Sequence, residues 1–90
     1  LAQTPAMLAS LGISGVPFVG SDVGGYSGRA TPELYARWMQ LGAFSPFCRA
    51  HVTNGVPDQD PWAFGTEVED ISRHRLRERY RWLPYLYSLF

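Results

Sequence analysis

The chain has 90 residues, of which 46% are hydrophobic and 14% aromatic, and its eight arginines balance eight acidic residues to a formal net charge of zero. A neutral chain has no electrostatic preference for nucleic acid or an anionic membrane surface, so neither is expected as a partner. The single cysteine, Cys48, excludes an internal disulfide and cannot build a zinc site alone. No apolar run is long enough to span a bilayer. The compartment stays unknown, with a slight preference for the cytoplasm.

The first half of the chain predicts a helix, a strand and a second helix. Apolar residues recur at helical spacing over 1–11, and Gly12 predicts the end of that helix. Residues 16–20 form a short, almost wholly apolar run, which is typical of a strand buried on both faces in a parallel sheet. The Thr-Pro-Glu sequence at 31–33 predicts a helix start with threonine as the N-cap, and Gly42 predicts its end.

The second half predicts another strand and a long helix. A second short apolar stretch at 44–48 leads to Arg49 and His51, and a loop rich in proline, glycine and aspartate follows at 54–64. A helix is predicted from about Glu67, and Pro84 is expected to end or kink it. The order helix, strand, helix, strand, helix indicates a parallel sheet. Two strands cannot form such a sheet alone, so we expect a piece of a larger α/β fold.

The arginine-rich stretch 73–81 lies in the predicted last helix. Acidic residues within and before it offset its charge, which favours a solvated helix face over a nucleic-acid surface. His74, within this stretch, is expected at the surface. The chain also has no initiator methionine and begins and ends on apolar residues, so we expect it to be cut from a longer protein.

Polar side chains follow the ends of both predicted strands. Asp22 follows the first strand, whereas Arg49 and His51 follow the second, and the carboxyl ends of parallel strands carry the functional groups of such folds. Tyr26 comes just after a glycine pair and offers a flat apolar surface. A carboxylate, an imidazole, a guanidinium and an aromatic ring together are suited to binding a neutral polyol by directed hydrogen bonds.

Each of these side chains also has a structural interpretation. Asp22 could cap the next turn, and His51 could be a hydrogen-bonded structural histidine. Arg49 is expected to pair with a buried carboxylate rather than to contact a substrate. Asp58 and Asp60 resemble a pair of catalytic carboxylates, but their place in a proline-bounded loop favours a structural turn.

Several sequence segments together resemble glycoside hydrolase family 31, the retaining α-glucosidases and their relatives. They cover almost the whole chain in a consistent order: GVPFVGSDVGGY at 15–26, ELY and RW within 33–38, QLGAF at 40–44, PFCRAH at 46–51, DPW at 60–62 and RYRWLPYLY at 79–87. The resemblance implies a (β/α)8 TIM barrel, with the two strands of this chain as its seventh and eighth. Residues 1–90 would then be part of one catalytic barrel domain, not autonomous and without an internal domain boundary.

The resemblance also implies which active-site residues this chain contains and which it lacks. The family uses an aspartate nucleophile and an aspartate acid/base, about 5 Å apart in retaining enzymes, and neither matches a position here. The nucleophile is expected on a much earlier strand and the acid/base shortly upstream of Leu1. His51 resembles the histidine that hydrogen-bonds the sugar in the −1 subsite, and Asp22 resembles an aspartate near the buried end of the pocket. Tyr26 replaces the usual phenylalanine of that subsite. Arg49 is expected to support the sugar-binding residues without contacting the sugar itself.

The resemblance therefore implies part of an α-glucosidase that removes terminal α-linked glucose from oligosaccharides, without a cofactor or a metal. The expected partners are an α-linked oligosaccharide or glucoside as substrate and the remainder of the barrel. The alternatives are a non-catalytic carbohydrate-binding barrel, or an α-xylosidase, α-galactosidase or transglycosylase of the same family. The isolated chain is expected to be inactive.

Overall fold

The computed structural model describes residues 1–16 and 18–89, and within them the predicted order of elements is confirmed. Three helices alternate with two short strands, which is the pattern of an α/β fold. Every helix in this part of the chain is too short or too polar to cross a membrane. The elements are α1 (Thr4–Ile13), β1 (Asp22–Val23), α2 (Pro32–Gly42), β2 (Arg49–Ala50) and α3 (Thr66–Leu89).

The two strands pair in parallel, as the alternation of strands and helices predicted. Asp22 lies beside Arg49 and Val23 beside Ala50 in the register of the pair. The predicted positions of both strands are wrong, because the ladder joins Asp22–Val23 to Arg49–Ala50 rather than lying in 16–20 and 44–48. Burial on both faces is also wrong for Val16, which is 47% exposed, and for Phe18, which is 58% exposed. Such burial needs strands and helices on either side, and the described residues supply only one neighbouring strand. Pro17 lies outside the described residues.

The helix α2 begins as predicted and contributes two of the five residues of the buried cluster. The hydroxyl of Thr31 accepts a hydrogen bond from the backbone N–H of Leu34 at 3.1 Å, which satisfies one of the free donors at the helix start. The buried cluster combines residues of β1, α2 and α3 with one residue of the loop between β1 and α2. Its members are Val23, Ala30, Tyr35, Met39 and Val68.

The end of α2 lies directly against β1. A Cβ at Gly42 would stand 2.6 Å from Cγ2 of Val23, closer than real Cβ atoms come to their neighbours. A glycine is therefore required here by the close approach of the helix to the strand rather than by its φ angle. This contact brings α2 onto β1 and fixes where the loop toward β2 begins.

The last helix is longer than predicted. It covers 24 residues and continues past Pro84, so the proline does not end it. A proline removes one hydrogen bond from a helix and crowds the preceding turn, at a cost of about 3 kcal/mol in a helix interior. In this last part the side chains of Tyr80, Tyr85 and Tyr87 are exposed, so water can reach the backbone carbonyl that the proline leaves without a helical donor.

Candidate functional site

A sharp turn follows β1 and directs the chain toward the loop after β2. Gly24 and Gly25 have φ angles of +89° and +84°, in the left-handed region that glycine adopts without strain. The N–H of Gly25 donates to the carbonyl of Asp22 at 2.9 Å and closes the turn. A Cβ at Gly24 would lie 2.8 Å from Oε1 of Gln59 and 3.0 Å from the ring of Tyr35. The backbone can pass between these two side chains only because it carries none of its own.

Asp22 and Arg49 form an ion pair across the two strands. Nε of Arg49 donates to Oδ1 of Asp22 at 2.6 Å; the aspartate side chain is 14% exposed and the arginine side chain 50%. The prediction that Arg49 pairs with a carboxylate is confirmed, and the carboxylate is itself a predicted site residue. Asp22 lies within β1 rather than after it, and the turn that follows uses its backbone carbonyl. The described contacts therefore orient the carboxylate through Arg49.

Tyr26 and His51 meet above the ends of the two strands. Their rings are stacked, with centroids 5.5 Å apart and an angle of 23° between the planes. His51 directly follows β2 and is exposed, and Tyr26 is 54% exposed. The N–H of Thr53 donates to the carbonyl of Tyr26 at 2.8 Å, which ties the two loops together. The structure thus pairs two sequence-predicted site residues that are 25 positions apart, as their numbers show.

Gln59 is a buried polar residue of this region that the sequence did not single out. The residue is 4% exposed, and its Nε2 donates to the carbonyl of Gly25 at 3.0 Å. Its Oε1 has no hydrogen-bond partner among the described residues. A single glutamine in a polar loop shows no periodicity that would indicate burial, so no sequence signal pointed to it.

The two aspartates that flank Gln59 have different surroundings. Asp58 is exposed, whereas Asp60 is half-buried and its carbonyl accepts a hydrogen bond from the N–H of Ala63 at 2.9 Å. This bond closes a turn around Pro61, which agrees with the predicted structural role. A cavity of about 210 Å³ opens beside the imidazole of the site and is lined by Ala50, His51, Val52, Asp58, Gln59 and Asp60.

Two weakly acidic groups lie beneath the site, and neither is set up as a nucleophile. Burial raises the pKa of Tyr35 to about 12, and the negative charge of Asp60 adds to the rise. Burial also raises the pKa of the Cys48 thiol, an effect that the positive charge of Arg79 partly opposes. Both groups are therefore protonated at neutral pH, whereas an activated thiol would have a lowered pKa.

The arginines of α3 do not all form a solvated face. Arg73 and Arg77 are exposed, and His74 is exposed as predicted, 3.3 Å from a carboxylate oxygen of Glu78. Arg79 is instead half-buried, and its guanidinium donates to three backbone carbonyls of the α2–β2 loop. The acceptors are the carbonyls of Ala43 at 3.2 Å, Ser45 at 2.5 Å and Pro46 at 2.9 Å.

This contact had no sequence signal, because the acceptors are backbone groups more than 30 positions away from the arginine. It holds the loop that leads into β2 and therefore supports the position of Arg49 and His51. Among the described residues, no group of three or more His, Cys, Asp or Glu side chains is placed to bind a metal ion.

Comparison with known proteins gives consistent matches along the chain. The family model described as "Glycosyl hydrolases family 31 TIM-barrel domain" matches residues 1–89. The chain is 51% identical over 90 residues to Alpha-glucosidase 2 of Bacillus thermoamyloliquefaciens, a match that covers 100% of this chain and 11% of that protein.

Solved structures agree with this result. A family 31 alpha-glucosidase of Bacteroides thetaiotaomicron matches with a TM-score of 0.89 and 45% identity, over 96% of this chain and 15% of that one. A GH31 dextranase of Flavobacterium johnsoniae, complexed with glucose, matches with a TM-score of 0.84 and 43% identity, over 97% of this chain and 11% of that one. The chain thus spans between 11% and 15% of the length of these three proteins.

Proposed function

Because the chain belongs to glycosyl hydrolase family 31, we propose that the protein carrying it is a retaining α-glycosidase, and specifically an α-glucosidase that releases terminal α-linked glucose. This proposal rests mainly on one observation: the rings of Tyr26 and His51 stack beside the two parallel strands, where Arg49 of β2 binds Asp22 of β1. In parallel α/β folds the substrate is held at the carboxyl ends of the strands. The alpha-glucosidases among the similar proteins support the choice of substrate.

We further propose that β1 and β2 are the seventh and eighth strands of the barrel, and that residues 1–90 form one part of its catalytic domain. The parallel pairing with a helix between the strands is the repeating unit of such a barrel. The remaining strands and helices would cover the exposed apolar side chains of Val16 and Phe18.

In this proposal His51 donates a hydrogen bond to a sugar hydroxyl in the −1 subsite. Its imidazole is exposed at the end of β2 and is held by the ring of Tyr26, so its free edge can face a ligand. A hydrogen bond to the sugar that strengthens as positive charge develops at the anomeric carbon lowers the barrier rather than only improving binding.

Asp22 and Tyr26 are the other two sugar-binding residues in this proposal. The carboxylate of Asp22 accepts hydrogen bonds from sugar hydroxyls, and its ion pair with Arg49 orients it for that purpose. Tyr26 offers an apolar ring with a hydroxyl at its tip. The nucleophile and the acid/base are aspartates of the parent protein outside this chain, so the residues seen here bind and position the sugar.

Two other functions remain in competition with an α-glucosidase. A non-catalytic carbohydrate-binding barrel would keep these sugar-binding residues and lack one or both catalytic aspartates. The parent sequence upstream of Leu1 therefore distinguishes it from an α-glucosidase. An α-xylosidase, α-galactosidase or transglycosylase would keep the same sugar-binding residues and differ elsewhere. The similar dextranase shows that members of the family act on more than one substrate. Rates of the parent protein on aryl α-glucoside, α-xyloside and α-galactoside separate these activities.

The decisive substitution is His51→Ala in the full-length parent protein. We expect kcat/KM for an aryl α-glucoside to fall at least tenfold without a change in the melting temperature, because the exposed imidazole contributes little to folding. His74→Ala, which removes an exposed histidine of α3, is the matched control and should leave the rate unchanged. Turnover close to wild type in His51→Ala would overturn the assignment of His51.

A further inference from the structure

Gln59 connects the loops that follow the two strands. Its amide comes from the β2–α3 loop and donates to the carbonyl of Gly25, the residue directly before Tyr26. The side chain is almost completely buried, so water does not compete for this bond. A buried amide with a single short contact to a backbone carbonyl restrains the position of that carbonyl.

The arrangement is poorly explained by stability alone. Gln59 keeps one amide oxygen without a partner among the described residues, and leaving a buried polar atom unpaired destabilises the folded state. That oxygen lies 2.8 Å from the position that a Cβ at Gly24 would take, too close for a side chain there. An apolar residue of similar length would fill the same space without the unpaired oxygen.

The backbone of Gly25 is restrained by hydrogen bonds rather than by packing. Its N–H donates to the carbonyl of Asp22 at 2.9 Å and its carbonyl accepts the bond from Gln59, whereas nothing lies within 4 Å of its Cβ position. On the far side of Tyr26, the N–H of Thr53 holds the carbonyl of the tyrosine. The backbone of Tyr26 is thus held from both sides by the β2–α3 loop, by Gln59 before the ring and by Thr53 after it.

We propose that Gln59 is a positioning residue of the sugar site, which acts by holding the Gly25 carbonyl so that the Tyr26 ring stays stacked on His51. It has no contact with the sugar in this proposal. The part that concerns sugar binding rests on the proposed function. The part that concerns the position of the ring does not, because it follows from the hydrogen bond and the stacked rings.

The test uses Gln59→Met and Gln59→Glu in the full-length parent protein. Met fills the space without a donor, and an ionised Glu places only acceptors against the Gly25 carbonyl. Crystal structures of both variants should show the Tyr26 ring moved away from His51, beyond the 5.5 Å centroid separation of the wild type. We expect kcat/KM for an aryl α-glucoside to fall about five- to tenfold, mainly through KM. Gln40→Met, on the exposed face of α2, is the control and should match the wild type.

A double-mutant comparison separates positioning from general support of the fold. If Gln59 acts through the tyrosine ring, Gln59→Met should lower kcat/KM less than twofold further when Tyr26→Ala is already present. An undiminished loss in that background, or an unchanged ring separation in the Gln59→Met crystal, would overturn the proposal. If the wild-type parent neither binds glucose nor cleaves any α-glucoside, the proposed function fails, and the ring separation alone then decides the role of Gln59.

Discussion

Two regions of the chain differ in how their side chains are held. One is the layer formed by α2, β1 and α3, and the other is the pair of loops at the strand ends. In the layer, Tyr35, Met39 and Val68 are buried against one another, and Phe64 stacks on the tyrosine ring at 4.4 Å. At the strand ends, the Tyr26–His51 pair is exposed and is held by single hydrogen bonds to the backbone. Packing therefore positions the first region, whereas a few directed bonds position the second.

This difference shows which part of the chain is complete by itself. Apolar burial in the layer uses side chains from within the described residues, so its contacts do not depend on other parts of a barrel. The strand ends and the apolar residues before β1 are open, and the family fold places further strands and helices beside them.

The isolated 90-residue chain should lose the strand-end region entirely. We expect helical far-ultraviolet circular dichroism from α2 and α3, no cooperative thermal transition, and no α-glucosidase activity, because two unpaired strand edges and an uncovered apolar face destabilise the chain. The parent protein, melted under the same conditions, is the control. A sharp, cooperative transition of the isolated chain would show that the layer suffices to fold it.

Gly24→Ala should disable the site in the parent protein. An alanine at position 24 would have to adopt a positive φ, and its Cβ would clash with Gln59 and with the ring of Tyr35. We therefore expect at least a tenfold loss of kcat/KM and a loss of about 2–4 kcal/mol of folding stability. Gly28→Ala is the matched control, since Gly28 has a φ of +77° and nothing within 4 Å of its Cβ position. Equal losses in the two variants would mean that backbone strain, rather than the contact with Gln59, decides the effect.

Arg79→Met should weaken the connection between the two regions. It removes three hydrogen bonds from a charged donor to half-buried carbonyls, and we expect a loss of about 2–3 kcal/mol of folding stability, measured by denaturant unfolding of the parent protein. Arg77→Met removes an exposed arginine two residues away and should change stability by less than about 0.5 kcal/mol. Equal stability of the two variants would show that the hydrogen bonds of Arg79 do not stabilise the fold.

Cys48 should react slowly with alkylating agents in the folded parent protein. Because burial raises its pKa, the reactive thiolate is scarcer than in a free cysteine at pH 7 to 9, and the rate should continue to rise at more alkaline pH. Peptide mapping by mass spectrometry after timed iodoacetamide treatment gives the rate at this position. Protein unfolded in urea provides the reference, and a folded rate equal to it would contradict the burial of the thiol.

The parts of the fold that could be predicted from the sequence are those specified locally. Thr31 and Pro32 mark the start of α2, and the alternation of apolar runs with amphipathic segments indicates a parallel sheet, because both signals depend on residues close in the chain. The position of β1 and the continuation of α3 through Pro84 depend instead on neighbours in space and on access of water. No window of sequence contains that information.

The same distinction applies to the site. A carboxylate partner for Arg49 could be predicted, but not that this partner is Asp22, because the register that sets the two residues side by side is not visible in the sequence. Gln59 and Arg79 could not, because their acceptors are backbone carbonyls that any residue type provides. Side chains that bind backbone atoms across more than 30 positions leave no complementary residue to search for.

The register of the two strands has a consequence for engineering substrate specificity. Neighbouring residues of a strand point to opposite faces of a sheet, so a one-residue insertion that shifted β1 would turn Asp22 away from Arg49 and toward the helices. Insertions after the turn, in residues 27–30, would instead leave this alignment unchanged. The short ladder therefore works as a fixed reference point, and a library of altered loop lengths should begin beyond Tyr26 and spare every residue before it.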